Sequence, residues 1–193
     1  LMRLLQEAGL PDGVINFLPG SGRTVGDPDL KNPNLAGVHF TGSTETFQYI
    51  WKTIGSQIER YKTYPRIVGE TGGKDFCLAH QSADIDEVTT AMIRGAFEYQ
   101  GQKCSAMSRA YLPNSIWNEL KSKYLSELKS VKVGPPEDFS NFMNAVIDKK
   151  AFKSITNYIQ FAEKSNDAEI ISGGTYDDTT GYFCLLYTSP SPR

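Results

Sequence analysis

The chain has 193 residues, with 20 Lys and Arg against 22 Asp and Glu, for a net charge of −2. So near-neutral a chain carries no field that gathers nucleic acid or an anionic membrane surface, and 39% hydrophobic against 22% charged residues is too apolar for wholesale disorder. No apolar run reaches the roughly 18 residues of a transmembrane helix, and three cysteines, Cys77, Cys104 and Cys184, are too few and too scattered for a disulfide framework or a metal site, which favours a reducing compartment.

Leu1, Leu4, Leu5 and Ala8 fall at helical spacing, and Gly9 reads as the residue that stops that helix. The chain opens without Met inside this pattern, which predicts a fragment. Pro11-Asp12-Gly13 is a turn, and the apolar run 14–18 reads as a short strand closed by Pro19-Gly20. The polar stretch 21–34 reads as loop with one short helix. A strand over 36–40 turns at Thr41-Gly42-Ser43 into a helix over 44–61, whose apolar stripe is Phe47, Ile50, Trp51, Ile54 and Ile58. A third strand covers 66–69. Strand and helix alternate, the signature of a parallel α/β sheet.

After the glycine-rich Gly69-Glu70-Thr71-Gly72-Gly73-Lys74, a strand over 75–79 leads to Asp84, an N-cap with Glu87 as capping-box partner. The helix runs to about residue 99 on Ile85, Val88, Met92, Ile93 and Ala96. Gln100 to Ser105 is a loop or a helix entry. A strand over 109–113, a helix capped by Ser115 and reaching 130, a helix over 151–164 and a strand over 168–172 before Gly173-Gly174 complete the pattern. Lys121, Lys123 and Lys129 read as a solvated helix face.

Three constellations can carry chemistry, each with a plainer reading beside it. Cys104, in a glycine- and polar-rich segment next to Lys103, is either a thiolate nucleophile or an inert buried residue. Cys77, inside an apolar strand, reads as packing. Glu70 follows an apolar strand and precedes glycines that allow close backbone approach, so it is either a functional carboxylate or a surface turn residue. Gly42-Ser43-Thr44-Glu45-Thr46 joins a strand to a helix N-terminus, either an anion-binding geometry or an ordinary cap by Ser43 or Thr44. His39, at a strand end, reads as packing, and neither His39 nor His80 has a recognisable triad partner.

In this order and spacing, Gly-Ser-Thr-Glu at a helix start, Glu-Thr-Gly-Gly-Lys after the next strand and Gly-Gln-Lys-Cys-Ser beyond it resemble the aldehyde dehydrogenase superfamily. Tyr64 to Glu70, Ala96 to Ala106, Lys132-Val133-Gly134 and Asn144-Ala145-Val146-Ile147-Asp148 narrow the resemblance to its Δ1-pyrroline-5-carboxylate dehydrogenase branch over about residues 1–183. The resemblance implies an α/β fold with two partial domains: residues 1–69 as the C-terminal half of a Rossmann-like NAD-binding domain, and 70–183 as the N-terminal half of a catalytic domain.

It also implies NAD-dependent oxidation of L-glutamate γ-semialdehyde to L-glutamate in proline catabolism. Cys104 is then the nucleophile that forms a thiohemiacetal and a thioester, with its backbone N–H as one oxyanion donor. Glu70 is the general base for hydrolysis, Gly42, Ser43, Thr44, Glu45 and Thr46 line the NAD site, and Ser105 sits beside the substrate carboxylate. No metal is implied. Partners are a small aldehyde and, for the full-length protein, copies of itself; the location implied is the mitochondrial matrix. The family's oxyanion asparagine, ribose-binding residues and oligomerisation strand fall outside this sequence, so the piece alone is expected to be inactive. Residues 184–193 depart from the family pattern and read as a non-native tail. The alternatives are an aldehyde dehydrogenase for a different aldehyde, or a non-catalytic truncation.

Overall fold

The computed structural model describes residues 1–179, 181 and 183–190, the last stretch by its backbone. The chain divides into two units, Leu1–Gly72 and Gly73–Arg193.

In the first unit, α1 (Met2–Glu7) ends where Gly9 adopts φ +91°, with the Leu10 N–H returning to the Leu5 carbonyl at 3.0 Å. That is the left-handed stop glycine favours. The expected strand over 14–18 does not form: a strand needs a neighbour to complete its ladder, and among the described residues none lies beside this run, leaving Phe17 72% exposed. The stretch that follows holds a π-helical turn, Gly22–Gly26, capped by Ser21, and α2 (Asp27–Leu30), with proline in its first turn. Two short turns thus replace the single helix expected.

A strand–helix–strand unit comes next. β1 (Gly37–Gly42) and β2 (Arg66–Thr71) pair in parallel, Gly37 with Arg66 through Gly42 with Thr71, and α3 (Thr44–Gly55) makes the crossover between them. Helix α3 stops at Gly55, earlier than its apolar stripe suggests, and a 3-10 turn at Ile58–Arg60 follows. Ile50 and Ile54 of that stripe are buried, whereas Trp51 is 58% exposed. They join Leu30 and Tyr61 in a core flanked by Leu35, Val38, Phe40 and Ile67. The Tyr61 hydroxyl donates to the Leu30 carbonyl at 2.5 Å, and the Gln57 amide donates to the same oxygen at 2.9 Å. These bonds tie the end of the crossover to α2. His39, expected to pack, is exposed on β1.

The second unit repeats the theme. β3 (Asp75–Leu78) and β4 (Met107–Tyr111) are parallel, joined through α4 (Ile85–Phe97) and a 3-10 turn, Glu98–Gly101. Asp84 caps α4 by accepting from the N–H groups of Asp86 and Glu87 at 2.8 and 3.0 Å. Helix α5 (Asn114–Leu128) starts after Pro113, whose ψ of 141° turns the chain in; Ser115 lies inside the first turn and does not cap it. Lys123 of α5 forms an ion pair with Asp86 of α4, and Lys121 lies over the Trp117 ring at 5.7 Å. Both lysines are half-buried rather than on a free solvated face.

Helix α6 (Lys149–Lys164) is capped by Asp148 and leads to β5 (Ala168–Asp177) and the antiparallel β6 (Phe183–Pro190). β5 runs through the expected stop at Gly173-Gly174 because both glycines take positive φ, 75° and 83°, at a register shift. β6 includes residues 184–190 of the stretch expected to be a non-native tail. The main core gathers Ala79, Met92, Ile93, Phe97, Ile116, Leu120, Tyr124, Leu128 and Met143. Cys77 packs against it as expected.

Leu120 is 0% exposed, so Leu120→Ala is expected to destabilise the protein by about 2–5 kcal/mol in urea unfolding. The Thr89 hydroxyl on α4 is buried without a hydrogen-bond partner among the described residues. A buried, unpaired hydroxyl costs roughly 1–3 kcal/mol, so Thr89→Val should raise the melting temperature; a drop would show that the hydroxyl is satisfied.

Candidate active site

Parallel pairing sets Thr41 opposite Glu70 and Gly42 opposite Thr71, so the turn into α3 and the Glu70 carboxylate leave the carboxyl ends of adjacent strands. In α/β sheets that edge is where ligands bind. Ser43 has the extended conformation of an N-cap (φ −71°, ψ 144°), and its Oγ accepts from the Thr46 N–H at 3.2 Å and lies 2.8 Å from the Thr46 hydroxyl. Of the two candidate caps, Ser43 does the work. Capping and anion binding are compatible here. The first turn of α3 leaves the Thr44 and Glu45 N–H groups without helical partners, on the positive end of the dipole.

Glycines at this edge have packing reasons. A Cβ at Gly69 would collide with the Phe47 ring, and one at Gly42 would lie 2.6 Å from Phe40. Gly72 has open space around it. Glu70 is exposed, and its carboxylate makes no hydrogen bond or ion pair among the described residues.

Cys104 and Ser105 belong to the second unit. They are the central residues of a turn closed by the Ala106 N–H and the Lys103 carbonyl at 3.2 Å, so the segment is a turn before β4 and not a helix entry. The thiol is free and exposed, not buried. The Cys104 N–H stands at the first corner of the turn, a position the closing bond does not use. A Cβ on Gly73 would collide with the Cys104 carbonyl, so only glycine lets the chain pass this close behind the turn.

The backbone before Cys104 is held in an uncommon shape. Tyr99, Gln100 and Gly101 take φ of 56°, 59° and 68° in succession. Left-handed conformation costs non-glycine residues about 1–2 kcal/mol each, and it persists only where surroundings impose it. Five polar side chains do so. Glu98 binds Arg94 at 2.6 Å and Lys103 at 2.5 Å, bridging the turn. The Gln100 amide donates to the Ala145 carbonyl at 3.2 Å, and the Gln102 side-chain oxygen accepts from the Ile147 N–H at 2.9 Å. The hydrogen bond and charge of Lys103, and then the charge of Arg94, hold the Glu98 carboxyl below its ordinary range. The positive charge expected beside the thiol is therefore shared with Glu98.

Sequence reading missed Glu98, Gln100 and Gln102. No glycine marks positions 99 and 100, and Gln100 and Gln102 reach partners some forty-five residues away. The structure thus brings Gly42, Ser43, Thr44, Glu45, Thr46 and Glu70 to one edge of the first unit, and Cys104 and Ser105 to one turn of the second. No group of acidic, histidine or cysteine side chains that could hold a metal exists among the described residues, and no helix there is long and apolar enough to cross a membrane.

The sequence profile of the aldehyde dehydrogenase family matches residues 1–185. The chain is 54% identical over 183 residues to the mitochondrial Δ1-pyrroline-5-carboxylate dehydrogenase of Dictyostelium discoideum, covering 94% of this chain and 33% of that protein. The Δ-pyrroline-5-carboxylate dehydrogenase of Mycobacterium tuberculosis, solved with NAD, superposes with a TM-score of 0.92 at 49% identity over 97% of this chain and 35% of that one. A Thermus 1-pyrroline-5-carboxylate dehydrogenase with bound NAD gives a TM-score of 0.87 at 30% identity, covering 97% and 36%. The chain spans about a third of the length of the curated relatives it matches. It has an α/β fold of aldehyde dehydrogenase type, and this chain belongs to the aldehyde dehydrogenase family.

Proposed function

We propose that this chain supplies the nucleophile, the general base and part of the NAD site of an L-glutamate γ-semialdehyde dehydrogenase acting in proline catabolism. The observation that carries the reading is the exposed Cys104 thiol, presented on a braced turn in a chain whose relatives are named for this activity. The first unit is then part of the NAD-binding domain and the second part of the catalytic domain. NAD, when bound, supplies the hydride acceptor, and the N-terminal turn of α3 from Gly42 to Thr46 fits its diphosphate because free N–H groups and the helix dipole favour an anion there.

Cys104 Sγ, as thiolate, adds to the aldehyde carbon, and the carbonyl oxygen becomes an oxyanion that the Cys104 N–H can stabilise. Loss of hydride from that carbon leaves a thioester on Sγ. Glu70 takes a proton from water as the water adds to the thioester carbon; collapse expels the Cys104 thiolate and leaves glutamate. Ser105, next in the turn, is assigned to the substrate carboxylate. The substrate is a small molecule and no nucleic acid is involved. The full-length protein is proposed to assemble with copies of itself. Relatives named mitochondrial support a mitochondrial location.

In the full-length protein, Cys104→Ala should abolish NADH formation from the semialdehyde. Glu70→Gln should leave a single-turnover burst of NADH and slow steady turnover by about 10²–10⁴-fold, the usual worth of a positioned base. Equal turnover of simple aliphatic aldehydes would refute the substrate assignment. Ser43→Ala removes the cap, worth about 0.5–2 kcal/mol of helix stability, and should weaken NAD binding measured by calorimetry; unchanged affinity would remove this turn from the NAD site.

A further inference from the structure

The structure assigns Gln100 and Gln102 as positioning residues: their two amides lash the turn that carries Cys104 to the Ala145–Ile147 backbone. This inference rests on the proposed role of Cys104 as nucleophile.

The two bonds are complementary. Gln100 donates to the Ala145 carbonyl at 3.2 Å and Gln102 accepts from the Ile147 N–H at 2.9 Å, so the turn grips a peptide segment at two points of opposite polarity. Both glutamines are half-buried; the Gln100 bond is partly shielded from water, whereas the Gln102 bond is exposed. They flank Gly101, whose φ is positive and whose Cβ position is blocked by the Ala96 carbonyl at 2.8 Å. A turn with three left-handed residues in succession relaxes unless it is held at both ends.

The segment they grip is itself fixed. Val133 bridges Met143, the Gly134 N–H donates to the Met143 carbonyl at 3.0 Å, and the Asn144 amide donates to the Gly134 carbonyl at 3.0 Å. Met143 and Val146 are buried at 2% and 4% exposure. Asp148, one residue beyond Ile147, caps α6 through the Ala151 N–H at 2.7 Å. Position is thus relayed from the core through Met143 and Val146 to the two glutamines and on to Cys104. The motifs Lys132-Val133-Gly134 and Asn144 to Asp148, which contribute no reacting group, acquire a task in this scheme.

The test uses the full-length protein and two readouts: steady-state kinetics, and the pH profile of iodoacetamide alkylation at Cys104 followed by mass spectrometry of its peptide. Gln102→Met keeps the shape and loses the acceptor, Gln100→Met loses the donor, and Gln102→Glu keeps an acceptor. Comparison at the alkaline plateau of alkylation cancels the effect of the added charge on thiol ionisation. Both Met variants are expected to lower kcat about tenfold or more, with KM for NAD within about twofold, and to change the plateau rate; small displacements of a reacting group have effects of this size. Gln102→Glu should restore most of the plateau rate. A parental plateau and kcat in both Met variants, or a Gln102→Glu variant as impaired as Gln102→Met, would overturn the assignment. Should Gln102→Met not fold, Gln100→Met and Gln102→Glu decide it. Failure of the nucleophile reading shows separately, as NADH formation by Cys104→Ala.

Discussion

Parallel strand pairing is the constraint on which the rest depends. Two parallel neighbours cannot be joined by a tight turn, so the chain must cross over, and here α3 and α4 make the two crossings. In the first unit this sends the β1–α3 turn and the end of β2 off the same edge, which is why Ser43 and Glu70 are neighbours in space though far apart in sequence. The pairing also leaves little room above β2. Gly69 faces Phe47, and Phe47 stacks on Phe40 with ring centroids 6.0 Å apart. The glycine next to the candidate base is thus accounted for by helix packing before any ligand is considered.

In the second unit the same rule acts at the opposite end of the strands. The return from α4 to β4 has to pass close to the start of β3, and the Cys104 turn is that return. Its closeness to Gly73 follows from β3 and β4 being adjacent. A short return segment behind a helix offers few ways to aim a side chain outward. Left-handed residues at 99–101 supply the sharp reversal, and ion pairs and amide bonds from Glu98, Gln100 and Gln102 offset its conformational cost.

Much of this was legible in the sequence for one physical reason: elements with a one-sided apolar stripe reveal themselves. The stripe of α4, the Asp84 cap and the glycine stop after α1 depend on local spacing, and each is where the residues indicated, whereas the α3 stripe buries Ile50 and Ile54 but leaves Trp51 and Ile58 exposed. What failed depends on partners. Residues 14–18 look like a strand but have no neighbour to pair with among the described residues, and β5 passes Gly173-Gly174 because β6 holds it across the bulge. Ser115 looked like a cap, yet the proline before it already turns the chain. At the candidate site, Cys104, Glu70 and the α3 turn stand out as candidates through residue type and order. The braces were not, since a glutamine carries no sign of which distant peptide it will meet.

The ionic brace acts with a definite sign. Glu98 has its carboxyl lowered from an ordinary 4.5 by Lys103 and Arg94. A carboxyl depressed in the folded state contributes stability above its unfolded value, and that contribution is lost as the pH falls through the folded value. The Glu98 carboxylate is therefore charged, and paired with Lys103 and Arg94, at neutral pH. Lys103 is engaged with Glu98, so the positive charge beside Cys104 is partly neutralised. In the proposed mechanism, activation of Cys104 then rests on its aim and on backbone N–H groups more than on the adjacent lysine, and aim is the quantity assigned to the glutamines.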